Sequence, residues 1–193
     1  MISLISALDL KFEMFLLSVR DPSLVQFFIW VSELGNDMTI IGLTFVVLII
    51  FAYRRKWPKA VGLAMSVFGS AVAGFILKEL VARPRPGAPL YAYIESNPYS
   101  LPSVHSIFAV AFYAFLLWLI WDFLSPVWRK GATIVVAVLI LAIGFSRLYL
   151  GVHYPSDVLT GYVVGAVFVI VGIKITRILS QRLNSSGAEQ SNL

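Results

Sequence analysis

The stretch "GATIVVAVLILAIGFSRLYLGVHYPSD" (Gly131–Asp157) decides the fold, because an apolar run leads directly into a short polar segment. A helix of about 20 residues crosses a hydrocarbon core of about 30 Å, and Gly131–Leu150 has that length. Arg147 lies near the end of the run, and His153 and Asp157 follow it. Ionisable groups at membrane depth are costly unless they are paired or face a polar cavity. The stretch therefore predicts a membrane helix that ends at such a cavity.

The composition extends this interpretation to the whole chain. Of the 193 residues, 59% are hydrophobic and 13% are charged, whereas soluble domains are about 45–50% apolar and about 25% charged. The chain has no cysteine, which excludes disulfides, cysteine–zinc sites and cysteine nucleophiles. The net charge is +5, but the positive charges lie in short loops between apolar runs. We therefore expect membrane lipids as neighbours and no nucleic-acid partner.

The apolar runs predict an all-α, polytopic bundle of transmembrane helices. Five segments have spanning character: Met38–Tyr53, Pro58–Ala82, Pro102–Leu124, Gly131–Leu150 and Pro155–Leu179. Residues 1–37 predict two short helices on either side of Asp21-Pro22, which either lie in the interface or together dip into the bilayer as a sixth core element. We expect one membrane domain, residues 1–182, followed by a disordered tail, residues 183–193.

Lys and Arg residues in the loops predict the orientation of these spans. Alternating spans place three basic clusters on one side, which the positive-inside rule makes cytoplasmic; the clusters are Arg54-Arg55-Lys56 with Lys59, Arg129-Lys130, and Lys174 with Arg177 and Arg182. Arg83, Arg85 and Arg147 fall on the other, extracytoplasmic side. Because these arginines oppose the charge bias, we expect them to have a function.

Both histidines of the chain also fall on the extracytoplasmic side. The ionisable and hydroxyl residues at that border are Lys78, Arg83, Arg85, Ser103, His105, Arg147, His153 and Asp157. One shared cavity explains them most simply, and arginine forks match the oxygens of a phosphoryl group. Pro102 is expected as the first residue of a helix whose free N–H groups favour an anion.

The residue types in this cavity also indicate a reaction. Asp157 could accept an N–H of His153, so that the other imidazole nitrogen attacks phosphorus and forms a phosphohistidine. His105 would protonate the leaving oxygen and later activate water, while the cations stabilise the transition state. This scheme requires no metal ion and no other cofactor.

Three motifs carry a family resemblance, and in chain order they are Lys78-x6-Arg85-Pro86, Pro102-Ser103-Val104-His105 and Ser146-Arg147-x5-His153-x3-Asp157. Together they resemble the three-part signature of the type-2 phosphatidic acid phosphatase superfamily. That superfamily includes lipid phosphate phosphatases, undecaprenyl-diphosphate phosphatases, phosphatidylglycerophosphate phosphatases and vanadium haloperoxidases. The flanking spans fit its integral-membrane branch.

The resemblance implies a role for each motif residue. His153 is the nucleophile, Asp157 its partner and His105 the general acid. The phosphate ligands are Lys78, Arg85, Ser103 and Arg147, with Arg83 as an auxiliary contact. Val104 stands where the family usually has glycine, so its N–H reaches the substrate phosphate only if the valine side chain turns away.

We therefore expect a multi-pass lipid phosphatase of the cell membrane with an extracytoplasmic site. Its partner is a lipid phosphate monoester or diphosphate, of the undecaprenyl diphosphate, phosphatidylglycerophosphate or phosphatidate type. The alternatives are a non-catalytic lipid-phosphate binder or transporter, an intramembrane serine protease that uses Ser103 or Ser106, and a metal site. The metal site would consist of His105, His153 and Asp157, but it lacks a second carboxylate at metal spacing, since Glu95 is the only acid of the outer loop. The combination of His105, His153 and Asp157 favours the phosphatase.

Overall fold

The computed structural model describes residues 4–87 and 97–190, with side chains described to residue 185. Glu95 lies outside these residues. The described part forms helices and no strand; the helices are α1 Leu4–Val19, α2 Pro22–Glu33, α3 Asp37–Tyr53, α4 Trp57–Val81, α5 Val104–Phe123, α6 Pro126–Tyr149 and α7 Pro155–Gln190. A π-helical turn interrupts α4 at Met65–Gly69, and another interrupts α5 at Ala109–Ala114.

Five stretches are long and apolar enough to cross a membrane: Pro22–Tyr53, Trp57–Val81, Val104–Phe123, Pro126–Tyr149 and Pro155–Ser185. The first comprises α2 and α3, which are separated by a turn at residues 34–36. Large apolar side chains such as Val135, Leu141 and Val163 are exposed on the outer faces of the helices. Helices that are apolar all round are typical of a membrane environment. The predicted all-α bundle with five spans is therefore confirmed.

Residues 4–33 form two helices that meet at the predicted break. The Asp21 carboxylate accepts the Ser23 N–H at 2.8 Å, and Pro22 is the first residue of α2, which is a usual helix start. On α1, one face is buried and holds Asp9, Glu13 and Leu16, whereas large apolar residues on its other faces are exposed. Whether this region crosses the membrane stays a prediction.

Glycines on α7 allow its backbone to approach two other helices closely. A Cβ atom built on Gly172 would lie 2.5 Å from the carbonyl oxygen of Gly62 on α4. A Cβ on Gly161 would lie 2.7 Å from the carbonyl oxygen of Ser103, just before α5. Small residues commonly permit such contacts between membrane helices. The contact at Gly161 brings the start of α5 against the first turns of α7.

Two helix boundaries differ from the sequence prediction. Helix α5 begins at Val104, after a cis peptide bond between Leu101 and Pro102, so the prediction of Pro102 as its first residue is wrong. Ser103 is the N-cap instead, because its hydroxyl oxygen accepts the Ser106 N–H at 3.4 Å. At the other end of the chain, α7 includes residues 183–190, for which the sequence predicts a disordered tail. The domain boundary at residue 182 stays a prediction.

We predict that Gly172→Ala lowers the apparent midpoint of thermal unfolding in detergent. The added methyl group would lie 2.5 Å from the carbonyl oxygen of Gly62 and 2.9 Å from the Phe115 ring, and overpacking of this kind costs about 1–3 kcal/mol. The matched control is Gly42→Ala on α3, where a Cβ meets no atom within 4 Å. Equal midpoints for the two variants would contradict the close α4–α7 contact.

Candidate active site

The predicted site residues gather at one end of the bundle, near the end of α4, the starts of α5 and α7 and the end of α6. The Ser103 N–H donates to the Asp157 carbonyl oxygen at 3.1 Å and so joins the last two motifs. The side chains that are buried here are Lys78, Ser103, Arg147, His153 and Asp157, whereas Arg83, Arg85 and His105 are partly exposed. Because the helices alternate in direction, the basic clusters predicted to be cytoplasmic lie at the opposite end.

His153 lies in the connection between α6 and α7 and is only 2% exposed. Its Nε2 atom lies 3.1 Å from Nη1 of Arg85. Its Nδ1 atom lies 3.5 Å from Oδ2 of Asp157, slightly longer than a hydrogen bond, as catalytic contacts often are without substrate. Burial, followed by the positive charges of Arg147 and Arg85, holds the pKa of His153 well below its ordinary value. The neutral form of the imidazole, which keeps a lone pair on one ring nitrogen, is therefore favoured.

Asp157, in the first turn of α7, has partners on both of its carboxylate oxygens. Oδ2 accepts the N–H of Tyr154 at 2.8 Å, as acidic residues in a first helical turn often do. Oδ1 accepts Nη1 of Arg83, also at 2.8 Å. Asp157 therefore stabilises the start of α7 and also faces the imidazole of His153.

Arg83 lies behind Asp157, in contact with carboxylates. Its Nη2 atom donates to Oδ2 of Asp9 at 2.8 Å, and Nη1 donates to the Ser156 hydroxyl at 2.7 Å. The guanidinium carbon also lies 4.1 Å from the centre of the Tyr154 ring. Asp9 and Ser156 are site residues that the sequence reasoning missed. The sequence feature that could have indicated Asp9 is its place in an apolar N-terminal segment whose charged residues fall on one face of a helix.

The other three cations approach His153 from different elements. The Lys78 ammonium donates to the Tyr99 carbonyl at 2.7 Å. Arg85 donates to the carbonyl oxygens of Asn97 at 2.6 Å and Val152 at 2.8 Å. Arg147 is fully buried, and its Nη1 donates to the Ser32 hydroxyl of α2. All three side chains, and also His105, lie near enough to oppose protonation of His153.

At the start of α5, the Val104 side chain packs against the hydrophobic cluster that includes Ile40, Leu63 and Phe108. The valine thus turns into the core, which is the condition under which its N–H can bind a phosphate. The Ser103 hydroxyl accepts the Ser106 hydroxyl at 3.1 Å. Helix α5 therefore presents its first turn to the site despite the missing glycine.

The alternative of a metal site finds no cluster to support it. Within residues 4–87 and 97–185, no three His, Asp or Glu side chains are grouped so that they could hold a metal ion. Two histidines and one carboxylate surrounded by cations instead match the donor set of an oxyanion site.

Comparison with known proteins identifies the family. The PAP2 superfamily profile matches residues 59–180, which include all three motifs. The chain is 32% identical over 153 residues to phosphatidylglycerophosphatase B of Bacillus subtilis, covering 76% of this chain and 72% of that protein. It is 30% identical over 152 residues to undecaprenyl-diphosphatase of Sulfolobus acidocaldarius, covering 76% and 68%.

A crystal structure of a transmembrane PAP2-type phosphatidylglycerolphosphate phosphatase from Bacillus subtilis has the same fold. It superposes with a TM-score of 0.81 at 24% identity, over 90% of this chain and 86% of that one. The predictions of a superfamily member, of a multi-span membrane protein and of a hydrolase acting on phosphate esters are confirmed. The chain, a membrane phosphatase, therefore belongs to the PAP2 superfamily.

Proposed function

We propose that the protein hydrolyses the phosphate monoester or diphosphate of a membrane lipid through a phosphohistidine on His153. The observation that carries the proposal is the buried imidazole of His153, which faces Asp157 on one side and Arg85 on the other. The relatives' names, phosphatidylglycerophosphatase and undecaprenyl-diphosphatase, support a lipid substrate. Because the site lies at the ends of spanning helices, a lipid headgroup can reach it while its tail stays in the bilayer.

In the first step, the lone pair of His153 Nε2 attacks phosphorus and the bond from phosphorus to the leaving oxygen breaks. His105 donates a proton to that oxygen, so that the lipid product leaves neutral or with one charge fewer. Arg85, whose Nη1 is 3.1 Å from Nε2, contacts the phosphoryl oxygens together with Arg147 and Lys78. Charge that develops there is stabilised by donors that are already in place.

In the second step, water attacks the phosphorus of the phosphohistidine. His105, now unprotonated, accepts a proton from the water, the P–N bond breaks and inorganic phosphate leaves. The carboxylate of Asp157 faces Nδ1 and stabilises the positive charge that the ring carries while it is phosphorylated. The sequence of steps returns both histidines to their starting protonation states.

We place the site on the extracytoplasmic side. The clusters of Lys and Arg in the loops lie at the opposite end of the bundle, and the positive-inside rule assigns that end to the cytoplasm. Undecaprenyl diphosphate, phosphatidylglycerophosphate and phosphatidate all present the phosphate chemistry that this site would bind. A non-catalytic lipid-phosphate binder would use the same cations but would gain nothing from His105.

We predict that His153→Ala and His105→Ala abolish phosphate release from whichever of these three lipids the wild-type protein hydrolyses. Loss of a general acid typically costs about 10²–10⁴-fold, and loss of the nucleophile should cost at least as much. The measurement is inorganic phosphate released by purified protein in mixed micelles. The matched control is Asp122→Asn, an exposed carboxylate at the opposite end of the bundle, which should keep full activity.

Full activity of either histidine variant would overturn the mechanism. If the wild-type protein binds the lipids but releases no phosphate, the chain is a binder rather than an enzyme.

A second prediction concerns the protonation of His153. The chain has two histidines, so His153 is the only one left in His105→Ala, and its titration can be followed by nitrogen NMR in a protein with a histidine-free tag. Because burial and nearby cations oppose protonation, the midpoint should lie below the ordinary value of about 6.5. A midpoint at or above that value would contradict a nucleophile that is neutral at pH 7.

A further inference from the structure

Helix α1 places the carboxylate of Asp9 in contact with Arg83 and Ser156, next to the candidate active site. Asp9 is only 3% exposed, although α1 exposes apolar side chains such as Leu8 and Phe15 to more than half of their area. Glu13 and Leu16 are buried on the same face of α1, and Leu16 packs against Leu148 and Val158 near the site. The buried side of α1 is thus directed at the start of α7.

Asp9 is held there by three short polar contacts. Its Oδ1 accepts the Ser156 N–H at 3.0 Å. Its Oδ2 accepts the Ser156 hydroxyl at 2.5 Å and the Arg83 guanidinium at 2.8 Å. Buried charges are costly unless they are paired and hydrogen-bonded, and Asp9 meets both conditions.

The guanidinium of Arg83 continues the chain of contacts toward the imidazole. Nη2 donates to Asp9, and Nη1 donates to Oδ1 of Asp157, each at 2.8 Å. The other oxygen of Asp157 faces Nδ1 of His153 at 3.5 Å. A continuous path of charged groups therefore runs from α1 to Nδ1 of the imidazole, whereas Arg85 contacts Nε2 on the other side of the ring.

The division of Arg83 between two carboxylates has an electrostatic consequence. A guanidinium paired with Asp157 alone would neutralise the charge that His153 needs when it becomes positive. Asp9 supplies a second negative charge, so that the set of Asp9, Arg83 and Asp157 keeps a net charge of about −1. The same contacts fix the position of the Asp157 carboxylate, because both ends of the arginine fork are held.

We propose that Asp9 and Arg83 are positioning residues that hold Asp157 against His153, and that α1 is thereby part of the catalytic unit. The proposal rests on the proposed function, since it concerns the orientation of Asp157 toward His153, the proposed nucleophile. It also assigns Arg83 a different role from the phosphate contact expected from the sequence. Asp9 and Arg83 act on the rate of the chemical step, and they leave phosphate binding to Lys78, Arg85 and Arg147.

The test compares kcat and KM for Asp9→Asn, Arg83→Gln and the double variant on the lipid phosphate that the wild-type protein hydrolyses. Each single variant should lower kcat by about 10–100-fold, which is the order of effect seen when a residue that orients an active-site side chain is lost. KM should change by less than about threefold, because the proposal gives neither residue a contact with the phosphate. The double variant should be no slower than Arg83→Gln, since Asp9 acts through Arg83.

The matched control on the same helix is Lys11→Gln, which replaces an exposed side chain and should leave both constants unchanged. If Asp9→Asn does not fold, Arg83→Lys provides the comparison, since it keeps the charge but loses the fork that joins two carboxylates. This variant should also lose kcat with KM unchanged.

Three results would overturn the proposal: wild-type kcat in Asp9→Asn or in Arg83→Lys, a raised KM with unchanged kcat in an Arg83 variant, or multiplicative losses in the double variant. The second result would restore Arg83 as a phosphate contact. A wild-type protein without activity would instead be a failure of the proposed function, so the two failures are distinguishable.

Discussion

Burial of positive charge at the end of an apolar helix bundle is the constraint on which the rest of the structure depends. Lys78 and Arg147 are almost fully enclosed, and Arg85 reaches Nε2 of His153. Such charges are costly at membrane depth unless they are paired. Each of these three cations therefore donates to a specific oxygen: Lys78 to the Tyr99 carbonyl, Arg147 to the Ser32 hydroxyl and Arg85 to the Val152 carbonyl. Together with burial, the same charges lower the pKa of His153, and under the proposed function they bind a phosphoryl dianion. The buried cations therefore both lower the stability of the fold and supply the charges on which the proposed chemistry depends.

The fold supplies this arrangement through close contacts between helix backbones. Gly161 allows α7 to meet the start of α5, where the Ser103 N–H donates to the Asp157 carbonyl. The two histidine-bearing motifs thus become neighbours although about 50 residues separate them in the chain. Asp9 then ties the N-terminal helix to the same point through Arg83. Four parts of the chain that are distant in sequence converge on one imidazole.

The sequence predicted the spans and the motif residues, because hydropathy and charge against the positive-inside bias are local signals. It did not predict Asp9 or Ser32, because their partners Arg83 and Arg147 lie 74 and 115 residues away and such contacts have no local pattern. The sequence predicts the start of α5 two residues too early, because proline favours the first helical position. In the structure Ser103 is the N-cap, so the helix begins at Val104. At Val104, which stands where the family usually has glycine, the structure shows what the sequence could not: the side chain packs against the core cluster.

The most direct test of the account is detection of the covalent intermediate. Purified protein is mixed with a lipid phosphate labelled on the phosphorus, quenched in alkali within milliseconds and digested for mass spectrometry. The account predicts a phosphoryl group on His153 that is stable in alkali, labile in acid and absent from His153→Ala. An acid-stable phosphoryl group on Ser103, or turnover without any phosphorylated protein, would contradict it.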